Sequence, residues 1–104
     1  MSTHRIKSPI VGTQYYPGAL AALAEIPDGS DVVLRREPGN PYDQNAIAVY
    51  NGMAILDAQQ LGHIIANVAK VLAPIMDARH EPEMLATFHC NNGKPRVSVV
   101  IERT

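Results

Sequence analysis

The chain has 104 residues, of which 46% are apolar and 18% charged, enough apolar surface for one core but too little length for two, so a single domain over residues 1–104 is expected. Its 9 Lys plus Arg stand against 10 Asp plus Glu, which excludes a strong global field for polyanions and leaves any phosphate contact to a local cluster. Cys90 is the only cysteine, which excludes an internal disulfide and a multi-thiolate zinc site and fits a reducing compartment.

In chain order, Met1 to Lys7 carries no apolar core of signal-peptide length, and no later stretch approaches the roughly 20 apolar residues of a membrane span. The expectation is a soluble, cytoplasmic protein with no membrane partner, nucleoid-associated if the host is bacterial. From Ile6 to Tyr16 the residues Ile10, Val11, Thr13, Tyr15 and Tyr16 favour an edge or bulged strand, interrupted by Pro9 and Gly12. Ala19 to Ile26 is rich in Ala and Leu and suits a short helix, followed by a turn at Pro27, Asp28 and Gly29. Val32 to Glu37 reads as a second strand. Pro38, Gly39, Asn40, Pro41 and Asp43 then form an irregular loop, because the two prolines remove backbone donors and its side chains must be held by other bonds.

Ala46 to Tyr50 reads as a third strand with Ile47 and Val49 on one face, and Asn51-Gly52 suits a tight hairpin into Met53 to Leu56, with Gln60 to Ile64 continuing the meander. Ile65, Val68, Leu72 and Ile75 recur at helical spacing with Asn67 and Lys70 on the opposite side, an amphipathic helix in which Pro74 predicts a kink or a fresh turn through Ala78. Met84 to Cys90 and Arg96 to Ile101, joined through Asn91, Asn92 and Gly93, close the chain as a hairpin. The fold class expected is β-rich α+β, a small OB-like, partly open barrel of about six strands with one main amphipathic helix and a short second one.

Catalytic chemistry finds little support. Cys90 beside Phe88 on a strand reads as a small buried hydrophobe, with His89 pointing the other way. His80, Glu81, Glu83, His89 and Cys90 fall at no metal-binding spacing, and no phosphate-loop or dinucleotide motif occurs. The chain is therefore expected to be no enzyme and to need no metal or cofactor. Four of the five aromatic residues are tyrosines. Tyr15 and Tyr16 end the first strand, and Tyr16 and Tyr50 suit the core. Tyr42, between Pro41 and Asp43 in a polar loop, has two readings: a ring folded back as a loop anchor, or a platform for a ligand. Asp43 likewise suits either an Asx bond to its own loop or a ligand contact.

The run VGTQYYPG at 11–18, the run REPGNPYDQNAIAVYN at 36–51, and LGHI at 61–64 ahead of a helix containing LAPIMDA together resemble a HIRAN domain. Members of that family stand alone or are attached to Swi/Snf-type helicase-like ATPases, and the resemblance implies capture of a single-stranded DNA 3′ end in DNA repair or fork processing. It implies Tyr15 and Tyr42 as stacking rings, Asp43 as acceptor for the 3′-hydroxyl, Asn40 as polar contact or loop organiser, and His63 as the family's histidine. Gln14 completes the candidate site, although DNA-binding members carry an arginine there, and Ala66 stands where they carry a lysine. Paired Arg35 and Arg36 suit one solvated face and one local salt bridge. The partners implied are a single-stranded DNA end and a helicase-like ATPase or nuclease. With so few cations, binding would lean on stacking more than on counterion release, and a shallow salt dependence follows. The other reading is a protein-interaction or recruitment module on the same scaffold, which the balanced charge, Gln14 and Ala66 favour.

Overall fold

Alternating inward and outward side chains build the molecule strand by strand. The computed structural model describes residues 2–51 and 58–103, and among them six strands form a closed antiparallel barrel in the order β1-β4-β3-β2-β5-β6. The strands are β1 (Ser2–Val11), β2 (Asp31–Arg36), β3 (Ile47–Asn51), β4 (Gln60–Ile64), β5 (Glu83–Asn91) and β6 (Lys94–Arg103). Along β1 the even-numbered Ser8 and Ile10 are buried while Arg5 and Lys7 are exposed, the period-2 pattern of a strand with one face on a core. Gly52 and the strand expected after the third, Met53 to Leu56, lie outside the described residues; β3 pairs directly with β4.

The barrel closes where a gap was expected, and the closure is narrow: β1 meets β4 only through Ile10 opposite Ile64 and Val11 opposite His63. Gly62 makes that crossing. Its φ is +148°, and a Cβ there would run into the Val11 carbonyl oxygen and lie 2.9 Å from Ile10 Cγ2, so only glycine lets the strands approach this closely.

Helix α1 (Ala19–Glu25) rests against β4, and α2 (Ala66–Ala78) packs Ala69, Leu72, Ala73 and Met76 into the core with Phe88, Leu34, Ile47 and Leu61. Pro74 neither breaks α2 nor begins a new turn: one helix runs through it to Ala78. Proline forfeits one internal hydrogen bond, but Ala73 and Met76 on either side are fully buried, and their packing holds the helix in register. The buried Ser8 hydroxyl accepts the Ile65 N–H at 3.1 Å and donates to the Pro9 carbonyl. That bond ties the start of α2 to the end of β1. The β5–β6 turn places Asn92 and Gly93 at φ 53° and 75°, the left-handed pair that a two-residue hairpin demands.

Three local expectations change. Tyr15 and Tyr16 do not end a strand: β1 stops at Val11, and Gly12 in the left-handed region turns the chain into a short 3-10 helix, Thr13–Tyr15. Tyr16 and Tyr50 are half-buried at the barrel wall, not core. Tyr50 lies under the Arg35 guanidinium, 4.6 Å from its ring centre, and its hydroxyl donates to Gln60 Oε1. Cys90 is exposed: the core ends at Phe88, and Cys90 lies beyond it opposite Pro95 with its N–H bonded to Asp28.

Candidate functional site

Three segments distant in sequence meet where β1 and β4 close the barrel: the 3-10 turn, the loop between β2 and β3, and the start of α2. They enclose a groove of about 720 Å³ lined by Tyr15, Tyr16, Asn40, Tyr42, Asp43 and His63, with Val11, Ala46, Ile64 and Ala66 supplying apolar floor and wall. Five of the six residues singled out from the sequence are thus brought together. Gln14, the sixth, is exposed on the 3-10 turn and stands outside the lining.

Backbone bonds close the β2–β3 loop at its base, from the Glu37 N–H to the Ala46 carbonyl and from the Ala46 N–H to the Asp43 carbonyl, and between its prolines, which donate no N–H, its own side chains add the remaining bonds. Asn40 Oδ1 accepts the N–H groups of Tyr42 at 2.8 Å and Asp43 at 3.2 Å, while Asn40 Nδ2 donates to Glu37 Oε1. Asn40 is therefore the loop's organiser. Asp43 Oδ1 accepts the Asn45 N–H at 2.8 Å, the Asx bond expected of it. Among the described residues only Oδ1 of Asp43 is engaged in a hydrogen bond, and the residue lines the groove, so one carboxylate oxygen shapes the loop while the other is left without an internal partner. Arg36 anchors the loop's base, donating to the Ala46 carbonyl and, through two nitrogens, to Asp77 at 3.0 Å each.

The rings are presented, not packed. Tyr42 is 96% exposed and Tyr15 76%, which removes the loop-anchor reading of Tyr42: its backbone is fixed by Asn40 while its ring buries almost nothing. Opposite them runs a hydrogen-bonded chain the sequence did not reveal. The Tyr16 hydroxyl lies 3.1 Å from His63 Nδ1, and His63 Nε2 lies 2.7 Å from Glu37 Oε1. In the neutral imidazole the arrangement that matches every group has Tyr16 donating to Nδ1 and Nε2–H donating to Glu37. Burial, with the nearby Glu37 charge and Tyr50 adding to it, raises the Tyr16 pKa above that of an ordinary phenol against an opposing hydrogen bond with Gln60, so the hydroxyl stays a donor.

Tyr16 and Glu37 were missed as site residues. Both sit inside the motif runs, and the available signal was chemical: a histidine at a strand end needs partners for two nitrogens. Charge is as informative as geometry. Among the described residues no lysine or arginine lines the groove. Arg35 and Arg36 are both committed to carboxylates, Arg35 to Glu83 at 2.8 Å and Arg36 to Asp77 at 3.0 Å, where the sequence suggested one solvated. The described residues contain no cluster of three or more metal-ligating side chains, and no described helix is long and apolar enough to cross a membrane.

Comparison with known proteins places the chain among relatives. The family model described as HIRAN domain matches residues 4–99. The helicase-like transcription factor of Mus musculus is 39% identical over 72 residues, which cover 69% of this chain and 6% of that protein. The putative SWI/SNF-related matrix-associated actin-dependent regulator of chromatin subfamily A member 3-like 1 of Arabidopsis thaliana is 44% identical over 70 residues, 66% of this chain and 7% of that one. The chain thus spans less than a tenth of the length of these curated relatives. The crystal structure of the HIRAN domain of human HLTF superposes with a TM-score of 0.64 at 28% identity, covering 92% of this chain and 73% of that one. A Lactobacillus plantarum protein of known structure matches with a TM-score of 0.74 at 23% identity over 97% of this chain and 100% of that chain, a likeness of fold alone.

Proposed function

The chain belongs to the HIRAN domain family, and on that premise we propose that the groove receives the 3′ end of single-stranded DNA and that the protein is a non-catalytic recognition module for DNA repair or fork processing. The observation that carries this reading is the pairing of two exposed tyrosine rings with a half-engaged carboxylate on one groove. Tyr15 and Tyr42 offer π-faces to any base, and stacking on each is worth about 1–3 kcal/mol without sequence preference. Asp43 Oδ2 accepts a terminal 3′-hydroxyl and repels a 3′-phosphate, so one oxygen distinguishes the two ends. The Tyr16–His63–Glu37 chain fixes the opposite wall, with its ring and hydroxyl groups set before the ligand arrives.

The partner in this reading is a helicase-like ATPase or nuclease that generates or consumes the captured end; of these, only a helicase-like protein is named among the relatives. The second reading, a protein-recruitment module on the same scaffold, is favoured by one observation: the groove wall is largely apolar and carries no lysine or arginine among the described residues.

Fluorescence anisotropy with a short oligonucleotide ending in a free 3′-hydroxyl, against its 3′-phosphorylated twin, separates the two. A hydrogen bond to a charged group is worth about 1.5–3 kcal/mol, so the hydroxyl should be preferred by about 10- to 150-fold. Asp43→Ala should abolish the preference. Asp43→Asn, which retains the acceptor for Asn45, should bind the phosphorylated twin better than the native protein does. Absence of binding to either oligonucleotide at low salt sinks the DNA reading in favour of a protein partner.

A further inference from the structure

The cations missing from the groove are found together on the adjoining barrel wall. Among the described residues, Arg35, Arg36 and Arg79 each pair with a carboxylate, whereas Arg5, Lys7 and Arg96 pair with none and line one concavity of about 410 Å³. Register explains the gathering. Lys7 is opposite Ser98 and Pro9 is opposite Arg96 on β6, and Arg96 is opposite His89 on β5, so all project from the outer face of three adjacent strands. Ser98, between these strands, is buried, its hydroxyl 3.3 Å from Nε2 of His89, which lines the concavity. Asp28 is the one carboxylate in the lining, and its Oδ1 is already held by the Cys90 N–H at 2.9 Å with His89 Nδ1 at 3.7 Å. Three cations against one engaged carboxylate leave the concavity positive.

This face is continuous with the groove. Arg5, Lys7, Pro9 and Val11 alternate outward along β1, and Val11 already lines the groove. At about 3.3 Å per residue, Arg96 beside Pro9 sits roughly 7 Å from the groove along the strand, Lys7 roughly 13 Å and Arg5 roughly 20 Å. We propose that the outer face of β1, β5 and β6 carries the phosphate backbone of the same single strand whose end occupies the groove, with Arg96, Lys7 and Arg5 meeting successive phosphates. The proposal rests on the groove being a nucleic-acid site. It divides recognition spatially: stacking and end selection without cations in the groove, counterion release along the strand beside it.

The test is the salt dependence of dodecanucleotide binding, measured by anisotropy with hydroxyl and phosphate 3′ ends, for the native protein, for Arg5→Gln/Lys7→Gln/Arg96→Gln and for Lys70→Gln. Each phosphate neutralised on a single strand adds about 0.7 to the slope of log K against log salt, so three give a slope near −2 and about a 20-fold loss from 50 to 200 mM. The native protein and Lys70→Gln should show that loss, and the triple variant should be nearly flat while keeping its preference for the hydroxyl end. All three side chains are exposed, so the triple variant should keep the native denaturation midpoint to within the range of ordinary surface substitutions. A flat native response, or a triple variant as steep as the native protein, overturns this inference and leaves the groove reading standing on its hydroxyl preference. No hydroxyl preference in the native protein overturns the groove reading, and with it the path from end to backbone.

Discussion

Replacing Tyr42 with alanine separates a ligand platform from a structural ring. The side chain is 96% exposed, so the free protein loses almost no buried area with it, and Asn40 holds the Tyr42 N–H, a bond that alanine retains. Stability should therefore stay within about 0.5 kcal/mol of native, the range of ordinary surface substitutions. Binding should respond differently, because the ring is covered only when a base lies on it. Stacking worth about 1–3 kcal/mol corresponds to a loss of about 5- to 150-fold in affinity. Tyr42→Phe keeps the π-face and should bind within about twofold of native, since the hydroxyl has no partner among the described residues. The assay pairs anisotropy titration of a 3′-hydroxyl oligonucleotide with urea denaturation of the same preparations. Unchanged affinity in Tyr42→Ala, or a stability loss above about 1 kcal/mol, would refute the reasoning, the first by removing the stacking role and the second by showing that the ring packs.

Two further outcomes test the scaffold. Gly62→Ala must hold φ near +148° and displace the Val11 carbonyl; the backbone strain alone costs about 1–3 kcal/mol, so the denaturation midpoint should fall clearly, and an unchanged midpoint would show that the β1–β4 closure tolerates a side chain. Hydrogen bonds from Arg36 hold the Asp77 carboxyl below its ordinary range, against a smaller opposing effect of burial. A pKa depressed on folding contributes stability that is complete above the unfolded value of about 3.9 and is lost as pH falls through the folded one. The stability difference between the native protein and Asp77→Asn should accordingly be constant at neutral pH and shrink in acid below about pH 4; parallel curves down to acid unfolding would contradict it.

Much of the architecture follows from local rules. Alternation along β1, β5 and β6 and the left-handed Asn92-Gly93 pair make strands and a hairpin without knowledge of neighbours. The apolar stripe of α2 was equally plain, but the effect of Pro74 was not, because a proline's local penalty is readable from sequence and the burial that outweighs it at Ala73 and Met76 is not. Cys90 shows the same limit from the other side: alternation puts it in phase with Phe88, yet the core stops before it.

By itself, the sequence determined the family, through three motif runs in the right order, and it determined that the loop needs bonds other than a ladder, since prolines at 38 and 41 donate no N–H; that Asn40 and Asp43 supply them was decided by the structure. The tertiary structure alone decided which way Tyr42 faces, because an exposed ring and a folded-back ring satisfy the same local geometry. It also decided that Tyr16, His63 and Glu37 form one chain across separations of 47 and 26 residues, and that Arg5, Lys7 and Arg96 share a face. Barrel closure sets those meetings: which residues lie opposite one another depends on register between strands far apart in the chain, and no local preference encodes it.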